Sequence, residues 1–215
     1  MNNYVQYGCG QTAPDGWLNF DASPRLWLER APLIGPILHS LGKSNFPSNI
    51  CVGDIVSGLP VPDGSVAGLY SSHVLEHIER SQAELALQNS LKLLRPGGIF
   101  RLIVPDLESL AARLLLDIKN HVPFAADRFM RDCYLGEEFR PHGIGGWARA
   151  VLGNSQHRWM YDRAQLTRML DDNGFVGIRD CSFGDCEDLR FLEVEHADRF
   201  VSDGLTAIAI EARAP

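Results

Sequence analysis

Short apolar blocks alternate along the first half of the chain with turn clusters and with stretches at helical spacing. That rhythm predicts strands and helices in succession. Tyr4 to Gly10, YVQYGCG, reads as a strand ending in a glycine turn. A second strand covers Trp17 to Phe20 and closes on Asp21, with a stop at Pro24. Asn49 to Ile55 gives a third strand, and VAGLYS, Val66 to Ser71, a fourth. Between the second and third strands, Arg25 to Gly42 reads as a crossover helix, broken or kinked at Pro32, Gly35 and Pro36. Its apolar run LWLERAPLIGPIL fits packing on the sheet first, with a partner surface or contact with a lipid-linked substrate as the other readings.

Ala83, Leu87, Leu91 and Leu94 recur at helical spacing. The S-x-x-E run Ser81 to Glu84 predicts a capping box at the start of that helix, and Pro96-Gly97-Gly98 its end. Ile99 to Asp106 is apolar throughout, as a strand buried on both faces must be. Helical stretches follow near 107–119 and 124–135, then a glycine-rich loop. A further helix has Asp162 as N-cap, Gln165 three residues on, Leu166, Met169 and Leu170 inward, and Gly174 as stop. FVGIRDCSF and LTAIAIEARA predict closing strands.

Strands alternating with helices imply an α/β fold with a mostly parallel central sheet flanked by helices. The length of 215 residues suits one domain over 1–215, with 107–156 as an insertion that covers the substrate. A composition of 45% hydrophobic and 22% charged residues is that of a globular protein with a real core. The net charge of −7 argues against a general nucleic-acid binder. No leader opens the chain and no apolar window is long enough to span a bilayer. Five cysteines without a C-x-x-C pair fit a reducing cytoplasm. A homo-oligomer is not indicated.

In such sheets ligands bind outside the carboxyl ends of the strands, near the switch in strand order. The residues there are Gly8-Cys9-Gly10, Asp21, Asp54, Ser71 to His77, and Asp106. A glycine turn lets backbone approach a ligand closely. An acid ending the second strand can accept from two ribose hydroxyls, and one ending the third from an adenine amino group. The set describes a nucleoside-containing cofactor lying across the sheet.

In these residues the chain resembles the class I S-adenosylmethionine (SAM)-dependent methyltransferases. More narrowly, it is similar to the small, type 11-like group linked with polysaccharide biosynthesis. The resemblance rests on GCG followed by GWLNFD, GDI with LPVPDGS, SSHVLEHI and LLRPGGIFRLIVPD, in that order. It extends more weakly over His157 to Phe175. It implies a Rossmann-like methyltransferase fold with an antiparallel closing strand, SAM as cofactor and S-adenosylhomocysteine as product. Gly8 and Gly10, with Tyr7 and Cys9 in the same turn, would lie beside the methionine part. Asp21 would hold the ribose, Asp54 and the Ile55 backbone the adenine, and Ser71, Ser72 and His77 would sit by the sulfonium and ribose. One departure stands out. Only ten residues separate Gly10 from Asp21, and QTAPDG is not helical, so the helix expected between two parallel strands is missing.

His73-Val74-Leu75-Glu76-His77 also spells H-x-x-E-H, the inverted zinc-protease motif. That chemistry needs both histidines and the glutamate on one continuous helix with a third ligand downstream, where only Glu137 or Glu138 is on offer. VAGLYS places His73 at a strand end instead, so no metal is expected and the zinc hydrolase becomes the lesser alternative. A degenerate subunit that binds a partner enzyme is the non-catalytic alternative.

For methyl transfer to a hydroxyl, His73, His77 and His157 are the candidate catalytic groups, His73 as general base. The acceptor should be a small molecule or glycan, such as a nucleotide-linked or lipid-linked sugar. Five arginines between Phe139 and Arg168 (Arg140, Arg149, Arg158, Arg163 and Arg168) against one acid, Asp162, suggest that it is anionic. Asp106, His142, Trp147, Arg158, Trp159 and Tyr161 are the residues expected near it.

Overall fold

The structure, a computed structural model, describes residues 3–42, 46–136, 143 and 156–215. His142, Trp147, Arg140, Arg149, Glu137 and Glu138 lie outside the described residues, as does much of the expected insertion.

The strands are β1 (Tyr4–Tyr7), β2 (Leu18–Asp21), β3 (Ile50–Val52), β4 (Val66–Ser72), β5 (Leu94–Pro105), β6 (Val176–Asp180), β7 (Val201–Ser202) and β8 (Leu205–Arg213). The helices are α1 (Pro24–Arg30), α2 (Gly35–Ser40), α3 (Arg80–Leu93), α4 (Leu107–Lys119), α5 (Ala125–Asp132) and α6 (Arg163–Asp172). The sheet order is β3-β2-β1-β4-β5-β8-β6, with β7 paired to β8. The five strands from β3 to β5 run parallel, and β8 is antiparallel to both β5 and β6. This is the expected mixed sheet with its antiparallel closing strand. The order reverses between β1 and β4, so the switch point lies at their carboxyl ends.

The helix boundaries test the local rules. Asp162 caps α6 by accepting from the Gln165 N–H at 2.8 Å. The capping box at Ser81 does not form. Helix α3 begins at Arg80, the Gln82 and Ala83 N–H groups donate to the Glu79 carbonyl, and Glu84 pairs with Arg80 at 2.9 Å. The i,i+4 ion pair takes the carboxylate that the box required. Pro96-Gly97-Gly98 does not end α3 either. The chain turns from helix to strand at Leu94, and the tripeptide forms a bulge in β5, opposite the register shift between Val66 and Gly68. The crossover Arg25 to Gly42 is two short helices, as its prolines require, but it buries little: Leu26 is inside, whereas Trp27 is 63% and Leu33 84% exposed.

Strands β1 and β2 pair in parallel although residues 8–17 between them contain no helix. A segment from the far end of the chain does the covering that such a helix would do. Phe191, Val194 and Phe200, on two 3-10 turns and the residue after them, pack with Trp17 and Tyr70 against Ile99, Ile103 and Ala209. The Trp17 indole donates to Glu193 at 2.9 Å and the Tyr4 hydroxyl to Asp188 at 2.5 Å. Beneath them Arg101 on β5 is fully buried. It donates to the Glu195 carboxylate, to Glu211 at 2.8 Å, and to the carbonyls of Ser182 and Asp185 at 2.9 and 2.8 Å. One guanidinium thereby pins residues 182–195 to the sheet.

Candidate functional site

The carboxyl ends of β1, β2 and β3 open on a cavity of about 250 Å³ whose wall includes Gly8, Asp21, Asp54, Ile55, His73 and His77. Gly8 has φ 67 and is pressed against Val74, so only backbone separates β1 from the residues after β4. Asp21 accepts the Gly10 N–H at 2.9 Å on one carboxylate oxygen and the Ser23 N–H at 2.7 Å on the other. These bonds fix the carboxylate and leave each oxygen a lone pair for a ligand hydroxyl. Asp54 is set by the Val56 N–H at 2.9 Å and the Ser57 hydroxyl at 3.2 Å. The two acids expected at strand ends therefore share one wall, with Gly8 and Ile55.

The side chains of four other expected cofactor residues point elsewhere. Cys9 packs with Leu26 and Ile50, and burial pushes its thiol up to about 12. The Tyr7 ring stacks on Phe100 in the core, with its hydroxyl 3.2 Å from Ser90 and, through burial, a pKa of about 12. Ser71 and Ser72 lie buried within β4, off the wall of the cavity. Alternation along a short buried strand sends every second side chain away from the ligand, whatever its backbone does.

His73 to His77 does not form one α-helix. His73 follows β4 with φ 55, an uncommon conformation for a residue with a Cβ, and Leu75–His77 is a single 3-10 turn. The helical geometry of the protease motif is absent. Both ring nitrogens of His73 face acceptors: Nδ1 the Glu76 carboxylate at 3.1 Å and Nε2 the Arg199 carbonyl at 3.0 Å. Burial opposes a charge on this ring, but the hydrogen bond and the charge of Glu76 outweigh it, and the pKa is raised. So held, both ring nitrogens of His73, the histidine expected as general base, are engaged by acceptors within the protein. His157 is shifted the other way: burial, with His77 and His73 nearby, lowers its pKa against the opposing charge of Glu76.

On the far side of His73 lies a second cavity of about 540 Å³, between β5, α4, α5 and the segment that leads into β8. His73 lines both cavities. Asp106 and His157 line the larger one. Tyr161 does not. It is fully buried in the main core, its hydroxyl 3.5 Å from the Leu75 carbonyl. Arg158 and Trp159 donate their backbone N–H groups to the Glu76 carbonyl at 2.6 and 3.2 Å, and neither lines either cavity. The described arginines of the local basic excess meet acids: Arg158 with Glu79, Arg163 with Asp180 and Arg168 with Asp172. Asp172 lies one helical turn from Arg168, whereas Glu79 and Asp180 reach their arginines from other elements.

Arg131, Asp132, Asp198 and Arg199 also line the larger cavity and were not anticipated. Asp198 and Arg199 arrive from a stretch near the C-terminal end that carries no motif, and only the topology of β8 brings it across the strand ends.

With this geometry in hand, comparison with known proteins gives a consistent answer. Residues 8–179 match a family described as a methyltransferase domain. Among solved structures, a SAM-dependent methyltransferase from Archaeoglobus fulgidus superposes with a TM-score of 0.51 at 16% identity, covering 98% of this chain and 85% of that one. Another from Thermotoga maritima gives 0.51 at 13% identity, covering 98% and 81%. At such identities the likeness concerns the fold alone. No curated protein matches the sequence.

Proposed function

Because this chain belongs to the methyltransferase-domain family, over residues 8–179, and is a SAM-dependent methyltransferase, we propose that its acceptor is a hydroxyl of a small, neutral, sugar-like molecule held in the larger cavity. The observation that carries this reading is the junction at His73, where the cavity under Asp21 and Asp54 meets the larger one.

SAM, when bound, supplies a methyl group on a positively charged sulfur. The smaller cavity suits it: Asp21 keeps lone pairs for ribose hydroxyls, Asp54 and the Ile55 backbone stand where adenine would be read, and Gly8 lets the chain approach the methionine part. The catalytic work of this chain is then chiefly placement, holding an acceptor oxygen in line with the methyl group. His73 serves as a fixed post between the two sites. Its Nδ1 is held by the Glu76 carboxylate at 3.1 Å.

Asp106, Asp132, Asp198 and Asp203 on the larger cavity outnumber Arg131 and Arg199. Carboxylates accept hydrogen bonds from sugar hydroxyls and repel anions. A neutral acceptor therefore replaces the anionic one that the arginine run suggested, and the hydroxyl proton has carboxylates to receive it. A place in polysaccharide biosynthesis belongs to the same proposal, motivated by the GCG to GWLNFD spacing.

The test is methyl transfer from labelled SAM to a panel of neutral sugars, sugar phosphates and small amines, with S-adenosylhomocysteine binding measured in parallel. A neutral sugar gaining one methyl on oxygen supports the reading. Transfer only to phosphorylated sugars or to amines would replace it, and cofactor binding with no transfer to any sugar would remove it.

A further inference from the structure

We propose that Glu76, His77 and His157 form a binding site for a divalent metal ion of the zinc class. One ring nitrogen of each histidine and one carboxylate oxygen of Glu76 lie within 4.8 Å of one another. Glu76 is fully buried, and its Oε2 has no hydrogen-bond partner; the buried Nδ1 of His157 has none either. Leaving two such atoms unsatisfied is costly unless something sits between them.

The atoms of Glu76 and His77 that face away from the cluster are engaged. Glu76 Oε1 accepts from His73 Nδ1 at 3.1 Å. His77 Nδ1 is 3.1 Å from the Gln156 carbonyl, so a proton there leaves Nε2 with the lone pair that can ligate. Orienting partners of this kind, a carbonyl on His77 and a hydrogen bond on the carboxylate, are those that metal ligands carry. The peptide backbone holds the cluster together as well, since Arg158 and Trp159 donate to the Glu76 carbonyl and the His157 N–H to that of Tyr134.

Two imidazoles and a carboxylate are a zinc-type donor set, and three protein ligands leave a fourth position for an exchangeable oxygen. Tetrahedral ligands about 2.0–2.2 Å from zinc stand roughly 3.4 Å apart, so the side chains close inward by about an ångström or less when the ion binds. The H-x-x-E-H spelling names the wrong first histidine. His73 orients Glu76, and His157, distant in sequence, takes the ligand position. The site lies where the two cavities approach each other, His77 lining one and His157 the other. The inference concerns metal binding and does not depend on the nature of the acceptor.

The test is calorimetric titration of the chelator-stripped full chain with Zn²⁺ and with Co²⁺, in wild type, His157→Ala, Glu76→Gln and His39→Ala, the last on an exposed helix far from the cluster in sequence. Circular dichroism checks that each variant folds. Expected is one ion per chain, weakened at least about a hundredfold in His157→Ala and Glu76→Gln, because losing a ligand costs more than the 10–100-fold typical of an outer partner. His39→Ala should bind as wild type. Should either ligand variant fail to fold, the visible absorption of Co²⁺ in the wild type decides, intense for four or five ligands and weak for six. No stoichiometric uptake, uptake indifferent to both variants, a six-coordinate cobalt spectrum, or a water bridging Glu76 and His157 in a zinc-soaked crystal would overturn the proposal.

Discussion

A Cβ placed on Gly8 would stand 2.1 Å from Val74 Cγ2. Val74 follows His73, so this contact sets how closely the β1 turn approaches the junction of the two cavities. Gly8→Ala must push Val74 aside and hold alanine at φ 67, which alone costs about 1–2 kcal/mol. Gly10 has φ 57 but nothing within 4 Å of its would-be Cβ, so Gly10→Ala carries the conformational cost without the clash. Both variants should melt lower than wild type. Only Gly8→Ala should lose S-adenosylhomocysteine affinity by more than about tenfold, as isothermal titration would show.

Asp21 ties the first turn to the second strand while presenting its carboxylate to the cavity. Asp21→Asn keeps one acceptor and Asp21→Ala keeps none, so binding should weaken in that order, with alanine losing at least about a hundredfold. Asp54→Ala should cost less, since Asp54 is more exposed and water can replace part of what it offers. Equal affinities in wild type and Asp21→Ala would mean that ribose is held elsewhere.

Arg101 bears on the fold more than on the site. Its guanidinium is buried with Glu195 and Glu211, and removing one partner of such a group leaves uncompensated charge. Arg101→Ala should destabilise the protein by about 3–5 kcal/mol in urea unfolding. It should also raise proteolysis within residues 182–195, the segment the side chain pins. Global loss without that local susceptibility would mean that the segment is held by Trp17 and Phe191 alone.

Much of this was legible in the sequence. The parallel strands, the Asp162 cap and the acids at the ends of β2 and β3 follow from local pattern, because hydrophobic periodicity and turn chemistry are local physics. The covering of β1 and β2 by residues 189–200 was not, since a segment with no regular pattern becomes structural only through contacts across the whole chain. The same limit explains the arginines at 158 and 163, whose partners are set by tertiary structure. It also applies to His73, whose second ring nitrogen faces the Arg199 carbonyl of a distant segment.

His73 and His157 should titrate on opposite sides of the ordinary value of 6.5. Around His73 stand the Glu76 carboxylate, which favours its proton, and the Arg199 guanidinium, which opposes it, with burial opposing it most. Around His157, burial together with His77 and His73 disfavours the proton, and Glu76 favours it. The raised pKa of His73 in the folded state gives stability that is fully present below pH 6.5 and is lost as pH rises through the higher folded value. The lowered pKa of His157 acts in the opposite sense across a lower window, because the unfolded chain takes up the proton first as pH falls below 6.5. Urea unfolding of wild type, His73→Gln and His157→Gln across pH 5 to 9, with a chelator present throughout, separates the two effects. The wild-type advantage over His73→Gln should shrink as pH rises above 6.5. That over His157→Gln should shrink as pH falls below 6.5. Imidazole proton shifts in NMR should give two midpoints on either side of that value. A single midpoint shared by both rings would mean that Glu76 serves them equally.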